Sequence, residues 1–237
     1  ASRARTSVLR APSSLQRASG RLPRHQSPLE FELSSEYTYF DHPEDIVTRP
    51  TSANRFRIRP SAMVNYRKSW GFVIPKLDLH YRYYDLNQIN LADDEVDLEI
   101  PVFSLDSGLF LDRPFEFSDQ AYLQTIEPRL FYLYVPRREQ SELPLFDTAK
   151  TSFGYEQLFR TNRFPGGDRI GDANQISLGL TSRLINQTNG EETVNFSLGQ
   201  AFYFQDREVQ LREDDPIETT TLSPFVARTN CQTTDTW

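Results

Sequence analysis

Long stretches of this chain alternate between apolar and polar residues with a period of two. From Arg55 to Arg67, apolar or aromatic side chains recur at alternate positions, and arginine fills several of the intervening ones. The same pattern returns from Val73 to Tyr84. Residues two apart lie on nearly opposite sides of a helix but on the same face of a strand. The alternation therefore argues against a helical bundle and predicts strands with one apolar and one polar face.

Strand length separates the possible all-β folds. Several of the alternating segments reach about 12 residues, whereas ordinary strands average about five or six and a tilted membrane-spanning strand needs about nine to eleven. Length therefore favours the wall of an outer-membrane barrel. The roughly nine candidates run near 14–20, 28–40, 55–67, 73–84, 95–112, 122–136, 174–186, 192–205 and 221–237.

The lengths of the connections give a second signal. In an up-and-down meander, alternate connections lie at the same end, and outer-membrane barrels have short periplasmic turns and longer extracellular loops. Asn189-Gly190 is a strong signal for one tight turn. We therefore place 41–52, 87–94, 137–173 and 206–220 outside the cell. The periplasmic connections are then 21–27, 68–71, 113–121 and 187–191.

Composition narrows the classes of function. The 237 residues carry a formal net charge of −7, which argues against nucleic-acid binding because such proteins usually carry a basic surface. A single cysteine, Cys231, can form neither an internal disulfide nor a cysteine-based zinc site. The 11 Tyr and 17 Phe residues suit half-buried strands.

Several ordered motifs add specific information. Gln124–Arg138 reads QTIEPRLFYLYVPRR and is followed closely by QSELPLFDT. Tyr155–Gln175 reads YEQLFRTNRFPGGDRIGDANQ, and Asn195–Phe204 reads NFSLGQAFYF. Upstream, Ile100–Arg113 reads IPVFSLDSGLFLDR. In this order, over roughly residues 14–237, the motifs resemble the LPS-assembly outer-membrane protein family (LptD, also called organic solvent tolerance protein).

The resemblance implies both a fold and a function. Proteins of that family carry a periplasmic jelly-roll domain and a barrel of roughly 26 strands, plugged by the lipoprotein LptE. They receive lipopolysaccharide from a periplasmic protein bridge and place it in the outer leaflet of the Gram-negative outer membrane. The resemblance therefore implies lipopolysaccharide, LptE, membrane lipid and, through the family's N-terminal domain, the bridge proteins as partners, with no cofactor.

We expect this chain to be a segment from the middle of such a barrel. Residues 14–237 are predicted to form an all-β, antiparallel up-and-down transmembrane sheet that is incomplete and not closed on its own. A long extracellular loop is predicted at about 137–173, and residues 1–13 are predicted to be unstructured. With two free edges and an apolar face, the segment alone should not fold as a stable soluble monomer.

The polar strand faces are the first candidate site. They would line the lumen, where Arg and Lys could meet phosphate groups on a sugar, or the plug protein. The alternative is a hydrated inner face that carries only cross-strand charge pairs. The candidates are Arg55, Arg57, Arg59, Lys76, Asp78, His80, Arg82, Glu127, Arg129 and Arg183.

The connection at 137–173 is the second candidate site. It is long for a structureless loop, and its Phe-Pro-Gly-Gly-Asp-Arg run predicts defined turns. It could close over the lumen and contact the plug lipoprotein, with Phe164, Asp168 and Arg169 as the candidate contacts. The alternative is a surface lid that only shields the barrel.

Catalysis and metal binding have little support in the sequence. His42, beside Asp41 and Asp45, fits no ligand motif, and Ser107 lacks the flanking glycine of a nucleophile elbow. We therefore predict a non-enzymatic role in the lipopolysaccharide translocon. Two alternatives stay open: another outer-membrane barrel such as a porin-like channel, and a soluble all-β binding module in which the apolar faces pack two sheets together.

Overall fold

A computed structural model of the protein describes residues 16–20, 28–41, 52–87, 95–141, 143–212 and 214–231. These residues form one antiparallel sheet of 11 strands and a short 3₁₀ helix at Tyr155–Phe159. The strands are β1 (Gln16–Gly20), β2 (Leu29–Asp41), β3 (Ser52–Val64), β4 (Tyr66–Lys68), β5 (Gly71–Asn87), β6 (Glu95–Leu109), β7 (Leu111–Phe117), β8 (Gln120–Val135), β9 (Ala173–Asn186), β10 (Glu192–Tyr203) and β11 (Val226–Cys231).

The sheet is an up-and-down meander. Its order is β1-β2-β3-β5-β6-β8-β9-β10-β11, with β4 added beside β5 and β7 beside β8. In the chain, β4 follows β3 after one intervening residue, and β7 follows β6 in the same way. Within the described part of the chain, β1 and β11 do not pair with each other, so the sheet is open at both ends. The predicted fold, an unclosed segment of an up-and-down barrel, is confirmed.

One predicted connection is wrong. Residues 113–121 were expected to form a turn, but most of this stretch lies in β7 and at the start of β8. The turn itself consists of Ser118 and Asp119, whose φ angles are 50° and 62°. Two consecutive left-handed residues are what the commonest two-residue hairpin requires, although neither is the usual Asn or Gly. Pro114 lies within β7 and pairs with Leu123.

Other expectations lie at the limits of the described residues. The last predicted strand is shorter than expected, because β11 covers only Val226–Cys231 and residues 232–237 lie outside the described part. Three further predictions also lie outside it: the unstructured segment 1–13, most of the loops at 41–52 and 87–94, and the assignment of His42.

The two faces of the sheet differ in what covers them. The loop between β8 and β9 (residues 136–172, the long loop) packs on one face, which we call the covered face. On the opposite, open face, large apolar side chains stay exposed; they include Phe31, Leu77, Phe103, Leu178 and Phe196, each 38–53% exposed. Over the described residues no second sheet buries this face, so the two-sheet soluble module is not supported. None of the helical turns in the described residues has the length or apolar character to cross a membrane.

Candidate functional site

The register of the strands places the ten polar candidates on the covered face. Arg57 lies directly opposite Arg82, and Asp78 lies opposite Val102. Arg129 lies opposite Gly179 on one side and Gly108 on the other. Because side chains alternate between faces, these pairs fix the orientation of every other residue along each strand. Their role as contacts for a substrate or plug protein stays a prediction.

Several of these candidates form ion pairs within the sheet. Arg129 on β8 binds Asp106 on β6 with two hydrogen bonds, of 2.9 Å from Nε and 2.7 Å from Nη2. Arg183 Nη2 lies 3.2 Å from Glu127 Oε2. Cross-strand charge pairs of this kind stabilise a sheet modestly. They match the simpler alternative for these positions, a hydrated face with internal charge pairing.

Asp168 fastens the long loop to the covered face. Its side chain is fully buried, and Oδ1 accepts hydrogen bonds from Arg55 Nη1 at 2.6 Å and Tyr84 Oη at 3.0 Å. Oδ2 accepts hydrogen bonds from the backbone N–H groups of Phe146 and Asp147, at 2.7 and 2.8 Å. One carboxylate thus joins two strands to two parts of the loop. Loss of either Arg55 or Asp168 would remove the closest counter-charge of the other, which is buried.

Asp147 adds a second carboxylate to the same anchor. Its Oδ2 accepts a 2.7 Å hydrogen bond from Arg55 Nη2, and its Oδ1 accepts one of the same length from the backbone of Gly167. Burial by itself would raise the pKa of Asp147, but the hydrogen bond and charge of Arg55 outweigh it. The result is a pKa well below the usual range for Asp. Asp147 therefore stays ionised at any physiological pH.

The glycines of the Phe-Pro-Gly-Gly-Asp-Arg run allow this close approach. Gly166 has a φ of +88°, a left-handed conformation that side chains disfavour, and a Cβ there would collide with the carbonyl group of Asp147. A Cβ on Gly167 would lie 2.5 Å from the guanidinium carbon of Arg55. The predicted turn is present, and it brings the carboxylate of Asp168 into contact with the guanidinium of Arg55.

A second anchor lies nearer the start of the long loop. Gln140 is buried, and its amide bonds both backbone groups of Ile170, with Nε2 donating at 2.8 Å and Oε1 accepting at 3.1 Å. A glutamine amide satisfies a peptide group in this way because it carries the same donor and acceptor pair. Ile170 can therefore be buried without unpaired polar groups.

An apolar cluster also joins the long loop to the sheet. The loop contributes Leu143 and Ile170, each at most 3% exposed. Burial of such side chains stabilises by about 1.5–3 kcal/mol each. The sheet residues of the cluster are Ala53, Tyr84, Leu86, Leu98, Ile100, Val102, Phe131, Leu133, Val135 and Ala173.

The 3₁₀ helix packs where two strands carry glycine. A Cβ on Gly179 would lie 2.6 Å from Phe159 Cζ, and a Cβ on Gly199 would lie 2.7 Å from Leu158 Cδ1. Both strand positions must therefore lack a side chain for the helix to sit on the sheet. The guanidinium of Arg129 stacks 4.0 Å from the centre of the Phe159 ring, a cation–π contact.

The connection from β10 to β11 docks onto the long loop through Asp172. Its two carboxylate oxygens accept the backbone N–H groups of Glu208 and Val209, at 2.8 and 3.0 Å. Arg163 of the long loop also donates to the carbonyl of Val209. The two connections together cover one end of the covered face.

Phe164 and Arg169, predicted like Asp168 to contact a partner, are buried at 5% exposure each. Their contact with a partner stays a prediction, because burial here describes this chain alone. The anchor residues Tyr84, Asp147 and Gln140 escaped the sequence analysis. Alternation places Tyr84 on the same face as Arg82, but nothing local marks Asp147 or Gln140 as buried.

Other reactive groups show ordinary structural contacts. Ser107 Oγ donates a 3.3 Å hydrogen bond to the carbonyl of Leu130. Across the described ranges, no group of three or more His, Cys, Asp or Glu residues is arranged to hold a metal ion. Among the described residues, the charged groups are concentrated on the covered face and in the long loop that packs on it.

Comparison with known proteins identifies related chains. The family model for LPS transport system D (LptD) matches residues 11–237. LPS-assembly protein LptD of Nitrosomonas eutropha is 44% identical over 202 residues, which cover 84% of this chain and 27% of that protein. The namesake from Thiobacillus denitrificans is 39% identical over 208 residues, or 88% of this chain and 28% of that protein.

The match extends to a third genus. LPS-assembly protein LptD of Pseudomonas putida strain F1 is 45% identical over 178 residues, covering 68% of this chain and 19% of that protein. The chain thus spans roughly a quarter of the length of the curated relatives it matches. The match therefore covers only part of each of those proteins.

Proposed function

Because this chain belongs to the LPS transport system D family (LptD), we propose that it forms part of a barrel wall that carries lipopolysaccharide to the outer leaflet of the Gram-negative outer membrane. The observation that carries the proposal is the contrast between the two faces of one open sheet. Large apolar side chains are exposed on one face, while charged side chains and a docked loop occupy the other.

The open face has the chemistry of a lipid-facing surface. Leu77 is 53% exposed, and it lies directly opposite Phe103, which is 38% exposed. In water, such a continuous apolar face would be an aggregation or interaction surface. In a bilayer the same face needs no further partner, because hydrocarbon solvates it. Near the loop end of β6 the face turns acidic, with Glu95, Asp97 and Glu99 exposed, as expected where the strand leaves the hydrocarbon.

The covered face has the chemistry of a hydrated passage closed at one end. The apolar cluster and the Asp168 anchor lie near the ends of β5 and β8, where the long loop packs. Further along the strands, charged side chains such as Arg129 and Arg183 remain 34–42% exposed. A phosphorylated sugar would meet these groups, and paired carboxylates would prevent tight binding from halting its passage.

The docked loop is a fixed cap in this proposal. Its outward surface, including Phe153 at 42% exposure, is available to the plug lipoprotein LptE. The periplasmic bridge proteins would meet the family's N-terminal domain, which lies outside the region matched here. Transport of this kind requires no catalytic step from these residues.

Photo-crosslinking in the full-length protein, in cells, tests the assignment of the two faces. A crosslinker placed at His80 or Arg129 should capture lipopolysaccharide or LptE, because both positions lie on the covered face. The matched controls are Leu77 and Leu79 on the neighbouring positions of β5, which should capture phospholipid or nothing. Capture of lipopolysaccharide or LptE from the leucine positions alone would show that the faces are inverted.

A further inference from the structure

Two arginines face each other on neighbouring strands. Arg57 of β3 lies directly opposite Arg82 of β5, on the covered face. Like charges directly opposite in a sheet destabilise it. Arg57 is bonded to Glu36 on β2, which also lies 3.3 Å from Arg55. One carboxylate is therefore shared between two guanidiniums.

Arg82 is the more unusual member of the pair. Its side chain is only 3% exposed, and its Nη1 has no hydrogen-bond partner among the described residues. A buried charged nitrogen that lacks a hydrogen-bond partner is costly, and such a nitrogen in a native fold calls for an explanation. On the other side Arg82 lies opposite Leu98, which supplies no counter-charge. The carboxylate of Asp168 acts on it electrostatically, but Oδ1 of that carboxylate bonds Arg55 and Tyr84.

A cavity of about 280 Å³ opens beside these arginines, between the sheet and the long loop. Its sheet wall carries Arg57, Arg59, His80 and Arg82. Its loop wall consists of Thr161, Asn162, Phe164, Pro165 and Gly166. Glu36 is the single carboxylate among the lining residues. Three guanidiniums against one carboxylate leave a surplus of positive charge.

Arg59 does not cancel this surplus through a neighbouring acid. The closest carboxylate is that of Asp78, 3.9 Å from Arg59 Nε, and Asp78 lies nearer to Lys76, at 2.9 Å from Nζ. The side chain of Arg59 is 36% exposed, so its guanidinium remains accessible to a solute. The ladder between β3 and β5 is also interrupted beside it, since pairing stops at Ile58 and resumes at Ser61.

We propose that this cavity binds a phosphate group carried by a sugar, with Arg59 and Arg82 as the principal contacts. The proposal rests on the function proposed above and names the part of the substrate that this site would hold. A phosphate monoester carries a charge of about −1.5 to −2 near pH 7, which complements the surplus. Planar guanidiniums match phosphate oxygens in pairs. The volume lies just below the roughly 300 Å³ at which pockets accept drug-sized ligands, which suits a small charged group.

Calorimetric titration of the full-length protein in detergent tests the site directly. The probes are glucosamine 1-phosphate, inorganic phosphate and glucosamine, which separate a sugar phosphate from free phosphate and from sugar alone. Both phosphate probes should bind, the sugar phosphate more tightly, and glucosamine should not. Arg59→Gln and Arg82→Gln should each weaken glucosamine 1-phosphate binding by about tenfold or more, because each removes a charge-assisted hydrogen bond.

The matched control is Arg113→Gln, which removes an exposed arginine of β7 whose side chain bonds the neutral Gln124. It should leave phosphate binding unchanged. Because Arg82 is buried, its variant could misfold. The affinity of the Arg59→Gln variant, whose substituted side chain is accessible to solvent, then tests the site without Arg82→Gln. Equal affinity of wild type and Arg59→Gln for glucosamine 1-phosphate would overturn the proposal.

Two further outcomes also overturn it. If neither phosphate probe binds the wild type, the cavity is not a phosphate site. If Arg59→Gln leaves phosphate binding unchanged but weakens co-purification of LptE, the cationic cavity receives an acidic side chain of the plug instead. Either result can occur while His80 and Arg129 still crosslink to lipopolysaccharide, so failure of this site and failure of the proposed function are distinguishable.

Discussion

Two regions of the covered face share one strand register but are built from different chemistry. Near the start of β6 and the end of β8 the inward residues are apolar, and the long loop is packed against them. Further along, the inward residues are charged and partly exposed, as Arg129 and Arg183 show. The alternation of polar and apolar residues determines which side chains point inward. Where the inward side chains are apolar a loop docks on them, and where they are charged they stay partly exposed.

The largest expected effect comes from the buried anchor of the docked region. Asp168→Ala should destabilise docking of the long loop by about 3–5 kcal/mol, since it leaves Arg55 buried without its closest counter-charge. Hydrogen–deuterium exchange of loop peptides in the full-length protein should then accelerate more than 100-fold, an order-of-magnitude estimate. The control is Asp215→Asn, which breaks the exposed pair with Lys150 and should change exchange little. Equal protection of the loop in the Asp168 variant and the wild type would contradict the anchor.

A smaller effect separates the covered face from the open face. Ile100→Ala removes a fully buried side chain beneath the long loop and should cost about 2–5 kcal/mol of unfolding free energy. Leu77→Ala, on the open face of the adjacent strand, should cost much less, because the side chain is 53% exposed and no internal cavity opens. Urea unfolding of the protein in detergent measures both. The comparison fails if the two variants are equally destabilised.

The glycine contacts of the 3₁₀ helix should give an intermediate to small effect. Gly179→Ala places a Cβ 2.6 Å from Phe159 Cζ, and overpacking of this kind costs about 1–3 kcal/mol. Phe159→Leu in the same chain should recover part of that loss. A double-mutant cycle on the exchange of residues 155–159 measures the coupling. Strictly additive effects would mean that the ring and the glycine do not touch in solution.

Acid pH should loosen the long loop only slightly, which is the smallest of the expected effects. The pKa of Asp147 is lowered in the folded protein, so its contribution is complete above its unfolded pKa, near 3.8, and is lost as pH falls further towards the folded value. Loop exchange, corrected for the intrinsic rate, should be constant from pH 7 to pH 5 and rise below about pH 4. Asp147→Asn should remove the part of this rise that comes from Asp147. Loosening between pH 7 and pH 5 would point to a different titrating group.

Much of the fold could be read from the sequence because a strand imposes its own period. The alternating segments predicted the nine strands that follow one another in the sheet order. The inward and outward residues of β3 and β5 follow directly from the alternation. The connection at 113–121 was predicted too long, because the two-residue turn at Ser118-Asp119 carries no glycine signal that would mark its position.

The candidate site was only partly predictable, and Arg55 shows why. Its place on the polar face follows from alternation, but its partner Asp168 lies 113 residues further along the chain. Two acids, Asp147 and Asp168, converge on this one guanidinium, and no local pattern announces that convergence. The same holds for Gly179, whose missing side chain matters only because Phe159 rests on it.

By itself, then, the sequence determined the strands, their two chemically distinct faces and the family, since all three are carried by residue types at short spacing. Only the tertiary structure decided which inward residues a loop would bury and which it would leave open. The physical reason is that docking depends on charges and apolar surfaces distant in sequence. These groups stabilise docking only when the folded sheet brings them within a few ångströms of one another.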